Sequence, residues 1–241
     1  KIGDVWGIGR QHKKRLEYLG IENAWQFTLL SEDWVKKYMS VVGVRIKRDL
    51  MGLPTIQLEE IQPPKKCIAT TRSFEGTISN FSDLEERIST FASSCAEKMR
   101  KQQSSCSTML VFIKSDPHKK NTVTYQNSYV LNLPYITDSN IMLSKYAVIG
   151  LKKIFKKGIS YKKAGVMIMG LTPTTKRQLS LFNNNNVKHI SIMQSVDKIH
   201  KRFGPHKIKL ANQDLNRTWK MKQQYLSSRF TTELSEIITV K

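Results

Sequence analysis

The sequence contains, at residues 82–99, the stretch SDLEERISTFASSCAEKM, in which large apolar side chains recur every three or four residues. The members of this apolar series are Leu84, Ile88, Phe91, Cys95 and Met99. Such spacing places side chains on one face of an α-helix, so the stretch predicts an amphipathic helix packed on a core. Ser82 and Glu85 have the spacing of a capping box, which predicts that the helix is capped at Ser82.

The segments around this helix are rich in apolar and β-branched residues, which predicts four strands. The predicted strands cover residues 68–74, 107–114, 125–133 and 161–171. Between the third and fourth strands, Asp138 or Ser139 is expected to cap a second helix. Its apolar face consists of Leu143, Ala147, Leu151 and Ile154. The order β-α-β-β-α-β predicts an α+β fold with a four-stranded, mainly antiparallel sheet and both helices on one face.

The second face of this sheet is left to solvent or to a ligand. Its polar and basic candidates are Thr70, Arg72, Thr108, Lys114 and Lys163. They are interpreted either as a phosphate-binding platform or as an ordinary solvated face, because the two look alike in sequence. The lysine pairs at 152–153 and 156–157 are interpreted as cations favoured by the C-terminal end of the second helix.

A tight turn at residues 5–9, VWGIG, opens the first predicted helix, which runs from about Arg10 to Leu19. Gly7 and Gly9 permit a sharp turn, and a helix start exposes unpaired N–H groups that suit a phosphate. The turn is interpreted as the hairpin of a helix-hairpin-helix motif or, alternatively, as an ordinary glycine-containing turn. The candidate phosphate contacts are Gly7, Ile8, Gly9, Arg10, Lys13 and Lys14.

Composition divides the chain into five predicted segments. These are a helical module (1–55), a proline-rich linker (56–66), the sheet domain (67–173), a loop (174–186) and a basic, largely irregular extension (187–241). In the first module Ser31 is expected to cap a helix to Met39, and a further helix over 44–51 ends at Gly52. In the extension a short helix is expected over 187–201, before Gly204 and Pro205 end it.

One short apolar stretch, Gln178-Leu179-Ser180-Leu181-Phe182, is followed by four asparagines. An asparagine tract is typical of a loop, so these large side chains are not easily explained as core. They are interpreted either as a docking peptide for a pocket on another protein or as a short edge strand or helix end. The position just after the last strand of the sheet domain favours docking.

The chain is strongly basic, with 40 lysines and arginines against 19 acidic residues and a net charge of +21. A polyanionic partner is therefore expected, and nucleic acid comes before a membrane because no basic helix has a strongly apolar face. No apolar run reaches about 18 residues, the length that predicts a membrane span. The three cysteines, Cys67, Cys95 and Cys106, lack metal-ligand and disulfide spacing, which predicts a reducing, cytoplasmic location.

No set of residues in the sequence predicts catalysis. Phosphoryl transfer needs clustered carboxylates to hold metal ions, whereas the acidic groups at 32–33 and 83–86 are explained by helix N-termini. The histidines have no ligand spacing, and the sequence contains no phosphate-loop or nucleophile-elbow motif. We therefore expect no catalytic residue, no metal ligand and no cofactor in this chain, and its predicted role is binding.

Several short motifs, in order along the chain, resemble the thumb, little-finger domain and C-terminal extension of Y-family translesion DNA polymerases. The thumb-like motifs lie at 5–9, 14–16 and 19–21, the little-finger-like ones at 72–74, 96–100 and 163–167, and the extension-like ones at 219–221 and 226–232. Each motif is modest alone, but their order and spacing are specific and cover nearly the whole chain. The extension resembles the UmuC-like branch of the family.

The resemblance implies that this chain contacts the backbone of primer-template DNA without reading its sequence. In the family, the thumb hairpin holds phosphates and strands of the little finger lie in the major groove. The residues that would contact DNA are Gly7, Ile8, Gly9, Arg10, Lys13, Lys14, Thr70, Arg72, Ser73, Lys114 and Lys163. Binding by charge and shape agrees with a basic chain that has no base-reading motif.

The resemblance also implies partners and a missing catalytic part. Gln178, Leu179, Leu181 and Phe182 would dock the sliding clamp (the β-clamp), with Gln178 as anchor. The palm and fingers of the family, with their carboxylates and Mg²⁺, would precede Lys1, so this chain is expected to be inactive alone in polymerisation. Its parent would be an error-prone DNA polymerase of SOS repair and mutagenesis. UmuD-type subunits and RecA are further candidate partners, and no partner is assigned to residues 187–241.

A second hypothesis is a non-enzymatic RNA-binding protein that uses the sheet as its platform. Such platforms expose aromatic side chains on which bases stack, and the candidates here are Phe74, Phe112 and Tyr129. No RNA-recognition spacing links them. A repair nuclease or glycosylase with a helix-hairpin-helix is a third hypothesis, and it lacks any catalytic cluster.

Overall fold

The computed structural model describes residues 1–58, 63–119, 124–176, 187–215 and 225–238. The chain forms two compact units, Lys1–Pro63 and Pro64–Lys241. The first is helical and the second combines a sheet with helices, so the predicted α+β fold class is confirmed. Among the helices of these residues, none is long and apolar enough to cross a membrane.

The first unit contains helices α1 (Arg10–Tyr18), α2 (Ala24–Thr28) and α3 (Glu32–Leu50). Its core consists of Ile2, Ile8, Leu16, Ile21, Phe27, Val35 and Met39. The predicted cap at Ser31 is confirmed, since its side chain accepts a hydrogen bond from the Trp34 N–H. The sequence pattern does not predict α2, whose signal is a capping box formed by Asn23 and Gln26.

Helix α3 joins the two helices that the sequence predicts separately, and Ser40 marks the break between them. Ser40 has φ 63° and ψ −173°, which is not a helical conformation. An ion pair bridges the break: the Arg48 guanidinium donates two hydrogen bonds to the Glu32 carboxylate, at 2.9 and 2.7 Å. These bonds lower the pKa of Glu32. The two halves of α3 therefore share one exposed electrostatic link in addition to the core.

The second unit contains β1 (Ile68–Ile78), α4 (Phe81–Lys101), β2 (Ser104–Ser115), β3 (Gln126–Thr137), α5 (Asn140–Ile154), β4 (Tyr161–Met169), β5 (Thr172–Pro173) and α6 (Val187–Phe203). The four long strands have the order β1-β4-β2-β3, and every pairing is antiparallel. The short β5, which the sequence does not predict, pairs with the start of β2 at Ser104 and Ser105. Helices α4 and α5 cover one face of this sheet.

The core of the second unit lies between this helix pair and the sheet. All of the predicted apolar faces are buried there, among them Leu84, Ile88, Phe91, Cys95, Met99, Leu143, Ala147, Leu151 and Ile154. The predicted capping box at Ser82 is wrong, because α4 begins at Phe81 with Asn80 as its N-cap. The Phe81 ring packs edge-on against Phe155 at 5.2 Å, so the first turn starts earlier to bring that ring to the core. Ser139 is the cap of α5.

The C-terminal extension is fastened to α4 and to the start of α5 by a buried arginine, Arg100. Its Nε and Nη2 donate to the Asp197 carboxylate of α6, both at 2.7 Å. Its Nη1 donates to the Asp138 carbonyl and the Asn140 side chain, also at 2.7 Å. Beside this network, Met193 of α6 is 3% exposed and its sulfur accepts from the Asn140 N–H. A paired charge thus holds three chain segments together.

A second contact places the segment after α6 against both helices of the sheet domain. Asn212 donates to the Ser144 hydroxyl of α5 at 2.8 Å, and the Gln213 amide donates to the Ser89 carbonyl of α4 at 3.5 Å. Gln213 and Asp214 are buried. The described part of the extension is therefore an integral part of the second unit.

Replacing Arg100 by alanine leaves the Asp197 carboxylate and two acceptors without their donor. The loss of one partner of a fully buried pair costs about 3–5 kcal/mol. The Asp197 side chain is 34% exposed, so Arg100→Ala should lower the free energy of unfolding by less than that but by more than the loss of a surface pair. Lys101→Ala is the matched control, since Lys101 pairs with Glu97 at 3.0 Å on an exposed surface. Such pairs contribute about 0.5 kcal/mol. Urea denaturation of both variants measures the difference, and equal losses would contradict the role given to Arg100.

Candidate nucleic-acid interface

Strand pairing assigns each paired residue of the sheet to one of two faces. In β2, Met109, Val111 and Ile113 are fully buried under the helices, so the residues between them point to the other side. We call that side the open face. With the register of the neighbouring strands, its residues are Ala69, Thr71, Ser73, Thr108, Leu110, Phe112, Lys114, Gln126, Ser128, Val130, Asn132, Lys163, Gly165, Met167 and Met169.

A polar row crosses the open face from edge to edge. Ser73 lies opposite Lys163, Lys163 lies opposite Lys114, and Lys114 lies opposite Gln126. Directly opposed residues have Cβ atoms about 4.5–5.5 Å apart, and like charges at that spacing destabilise a sheet. An anion between the two lysines would remove this cost.

The middle of the open face is partly apolar. Phe112 lies across Gly165, where a Cβ would come within 2.6 Å of the Phe112 ring and 2.5 Å of the Thr71 methyl group. The next row pairs Leu110 with Met167, both half-buried. Glycine at position 165 therefore leaves room for the Phe112 ring to pack against the sheet beside the lysine row.

Two predicted platform residues lie on the wrong side of the sheet for this face. The Thr70 hydroxyl accepts from Lys98 Nζ at 3.1 Å and contacts the Cys95 sulfur at 3.3 Å, so it faces α4. Arg72 is two residues after Thr70, so it lies on the same face of the strand, and it is paired with the buried Ala164. The physical reason is the two-residue period of a strand, which places Ser73, between Arg72 and the core residue Phe74, on the open face.

The alternation of side chains along a strand also places two of the three aromatic residues proposed for base stacking on the helix-covered face, away from the open face. Phe74 is 6% exposed and belongs to the core. Tyr129 lies opposite Val111, a core residue, and therefore has the parity of the helix-covered face. Phe112 alone of the three lies on the open face. The RNA-platform hypothesis thus lacks most of the stacking surface on which it depends.

The hairpin of the first unit forms an open depression at the start of α1. Gly9 is the N-cap of this helix, and the depression is lined by Gly9, Arg10, Gln11, His12 and Lys14. The first N–H groups of a helix have no intrahelical partner, so they and the two cations can face one anion. The sequence motif does not single out Gln11 and His12, although both lie in the first turn of the predicted helix.

Two other candidate residues of the hairpin, Ile8 and Lys13, make contacts within the first unit. Ile8 is 6% exposed and its N–H donates to the Val5 carbonyl. Lys13 lies across Gly3, where a Cβ would come within 2.6 Å of its side chain, and its Nζ is 3.7 Å from Glu17. Both residues therefore shape the hairpin, while Arg10 and Lys14 lie at the depression.

The cysteines have different environments but no common site. Cys67 is exposed, whereas Cys95 and Cys106 are buried, and all three are free thiols. Burial raises the pKa of Cys106 to about 12, so it is a protonated core residue near neutral pH. In the part of the chain that the structure describes, no group of three or more His, Cys, Asp or Glu side chains is placed to hold a metal ion.

The predicted docking residues Gln178, Leu179, Leu181 and Phe182 lie outside the described residues. The chain is anchored shortly before them, because the N–H and hydroxyl of Thr174 both donate to the Gln103 carbonyl, at 2.9 and 3.0 Å.

Two family models match the chain. Residues 65–181 match the impB/mucB/samB family C-terminal domain, and residues 191–240 match a domain of unknown function, DUF4113. Over 242 aligned residues the chain is 33% identical to protein UmuC of Salmonella typhimurium, covering 100% of this chain and 57% of UmuC. Through residues 65–181 the chain carries the C-terminal domain of the impB/mucB/samB family. It corresponds to the C-terminal part of a UmuC-like Y-family polymerase.

Two further relatives extend the comparison. Protein SamB of Salmonella typhimurium is 32% identical, over 100% of this chain and 57% of SamB. DNA polymerase IV 1 of Bacillus subtilis is 24% identical, over 84% of this chain and 48% of that polymerase. The chain thus spans little more than half the length of the curated relatives it matches.

The two glycines of the hairpin should respond differently to substitution. Gly7 has φ 95°, and a Cβ there would come within 2.6 Å of Ile46, so Gly7→Ala should cost about 1–2 kcal/mol or more of unfolding free energy. Gly9 has an extended backbone, and a Cβ there would meet no other described atom within 4 Å, so Gly9→Ala should cost less than about 1 kcal/mol. Thermal unfolding measures both, and a larger loss for Gly9→Ala would contradict this geometry.

Proposed function

We propose that this chain is the DNA-gripping and clamp-tethering part of an error-prone translesion DNA polymerase. The open face and the hairpin depression hold the sugar-phosphate backbone of primer-template DNA without reading bases. The catalytic step and its Mg²⁺ belong to the parent polymerase and are assigned to no residue of this chain. The similar proteins support the class of protein, and the lysine row on the open face supports the proposed binding site.

The observation that carries the proposal is the opposed pair Lys114 and Lys163. A fold gains nothing from two like charges on adjacent strands, and the pair is explained when a phosphate lies between them. Ser73 and Gln126 extend the row with a hydroxyl and an amide, both of which donate to phosphate oxygens. The apolar centre beside the row lies against the duplex whatever its sequence.

Binding by phosphate contacts fits a polymerase that must accept damaged templates. Phosphates are the same at every nucleotide, so contacts to them survive a chemical change of the base. The apolar centre of Leu110, Phe112 and Met167 has no strong hydrogen-bonding group for a base edge. This centre is therefore suited to lie against DNA without selecting its sequence.

The double variant Lys114→Ala/Lys163→Ala tests this site. Each phosphate that is no longer neutralised reduces the slope of log K against log salt by about 0.9, so on primer-template DNA the slope of this variant should fall by about 1.8. Its unfolding free energy should stay equal or rise by up to about 1 kcal/mol, because a like-charge pair is removed. Fluorescence anisotropy over a salt series gives the slope, and urea denaturation gives the stability.

Lys198→Ala/Lys201→Ala is the matched control for that variant. It removes the same charge from exposed positions of α6. The proposal predicts a clearly smaller change in slope for this control. Equal slopes for the two double variants would show that general charge, and not the open face, binds the DNA.

The proposal extends to Gln178–Phe182 as a peptide that docks a sliding clamp. Gln178 anchors it, and Leu181 and Phe182 enter an apolar pocket on the clamp. A clamp that encircles DNA raises the local concentration of a weak DNA binder, so a modest peptide contact suffices. The anchored Thr174 ties the start of this segment to the sheet domain.

Leu181→Ala/Phe182→Ala should abolish binding to a bacterial β-clamp and leave the affinity for DNA within about twofold of the unchanged chain. Surface plasmon resonance with immobilised clamp and anisotropy with DNA measure the two separately. If DNA affinity falls together with clamp binding, the two sites are not independent and the assignment is wrong.

Accessory UmuD-type subunits and RecA complete the proposed set of partners. The place for them is the end of the extension, where several large apolar side chains are exposed. These are Tyr225, Leu226, Phe230, Leu234, Ile237 and Ile238. Exposed apolar clusters of this kind are typical of protein-binding segments.

A further inference from the structure

Four exposed lysines, Lys152, Lys153, Lys156 and Lys157, form a charged patch at the end of α5, and we call it the lysine turn. The helix dipole explains only half of it. Helix α5 ends at Ile154, so Lys152 and Lys153 lie in its last turn, whereas Lys156 and Lys157 lie beyond it. Dipole effects fall off within the last turn of a helix. The second pair therefore needs another explanation.

Two tyrosine hydroxyls form hydrogen bonds with the backbone of the lysine turn. The Tyr161 hydroxyl accepts from the Lys156 N–H at 2.8 Å and donates to the Lys156 carbonyl at 3.0 Å. The Tyr125 hydroxyl donates to the Ile154 carbonyl at 2.6 Å. Tyr161 is fully buried, so these bonds fix the backbone of the turn to the core.

Ring packing adds a second restraint on the same turn. Phe155 lies 5.2 Å from Phe81 and 5.7 Å from Tyr161, measured between ring centroids. The Lys156 ammonium lies 5.0 Å from the centre of the Tyr125 ring, an attractive cation–π distance. Exposed lysines normally lose conformational entropy when they bind, and a turn fixed in advance reduces the backbone share of that loss.

The lysine turn is linked to the open face by the start of β4. Lys162 and Lys163 are adjacent in this strand and point to opposite sides, since side chains alternate along a strand. Lys163 belongs to the polar row of the open face, and Lys162 Nζ donates to the Glu75 carbonyl at 2.9 Å on β1. Positive charge thus continues from the open face around this end of the sheet.

We propose that the lysine turn is a second phosphate-contacting surface, which takes the nucleic-acid backbone beyond the stretch held on the open face. The inference rests on the proposed function and adds a site to it. Lys152 is partly balanced because it lines a groove with Glu85, whereas Lys156 and Lys157 lie past the helix and outside that groove. The second pair is therefore assigned the main contacts.

Lys156→Ala/Lys157→Ala tests the second surface on the full chain with primer-template DNA. Removing two phosphate contacts should reduce the salt slope by about 1.8, and combination with Lys114→Ala/Lys163→Ala should reduce it by about 3.6 in total. The control Lys198→Ala/Lys201→Ala should change it clearly less. Circular dichroism of each variant should match the unchanged chain, because all of these side chains are at least partly exposed.

The outcomes separate the inference from the function on which it rests. If Lys156→Ala/Lys157→Ala matches the control while Lys114→Ala/Lys163→Ala reduces the slope, the second surface is wrong and the open face stands. If only the lysine-turn variant reduces the slope, the lysine turn is supported and the open face is not the DNA site. If the unchanged chain binds an acidic peptide but does not bind DNA, both the inference and the proposed function are overturned.

Discussion

The two-residue period of the central strands is the constraint on which the second unit depends. Met109, Val111 and Ile113 in β2, with Ala164, Val166 and Ile168 in β4, are buried under α4 and α5. Because neighbouring residues of a strand point to opposite sides, burying these residues under the helices places the residues between them on the open face. The open face, its lysine row and its apolar centre all follow from the helix-covered core. A shift of one residue in β4 would bury Lys163 and expose Val166.

Arg100 gives the C-terminal extension a defined place in this architecture. The region that matches a domain of unknown function has no large core of its own, since only Met193, Gln213 and Asp214 of its described residues are buried. It is stabilised by the charge network of Arg100 and Asp197 and by bonds from 212 and 213 to the helix pair. The extension therefore contacts the outer side of the helix pair, on the opposite side of the second unit from the open face.

The periodicity of apolar residues predicts where most helices and strands lie. It predicts less well which side of the sheet a polar side chain occupies. The apolar series from Leu84 to Met99 locates α4 and its buried side, because a helical period survives an error of one residue at the end. Polarity alone suggests the open face for Thr70 and Arg72, although the parity set by Ile68 and Phe74 assigns them to the other side. Parity is readable from the sequence, but the pairing of Lys114 with Lys163 is not. That pairing depends on the strand order β1-β4-β2-β3 and its register, which no local pattern encodes.

The same limit explains why the sequence alone attributes the lysine turn to a helix dipole. In sequence, the four lysines form two pairs near a predicted helix end, and the dipole accounts for cations there. Only the position of Ile154 as the last helical residue, and the bonds from Tyr161 to Lys156, separate the two pairs. Charge that a fold does not need for its own stability is more informative about partners than charge that it does. By that measure Lys114, Lys163 and Lys157 say more about nucleic acid than the net charge of +21 does.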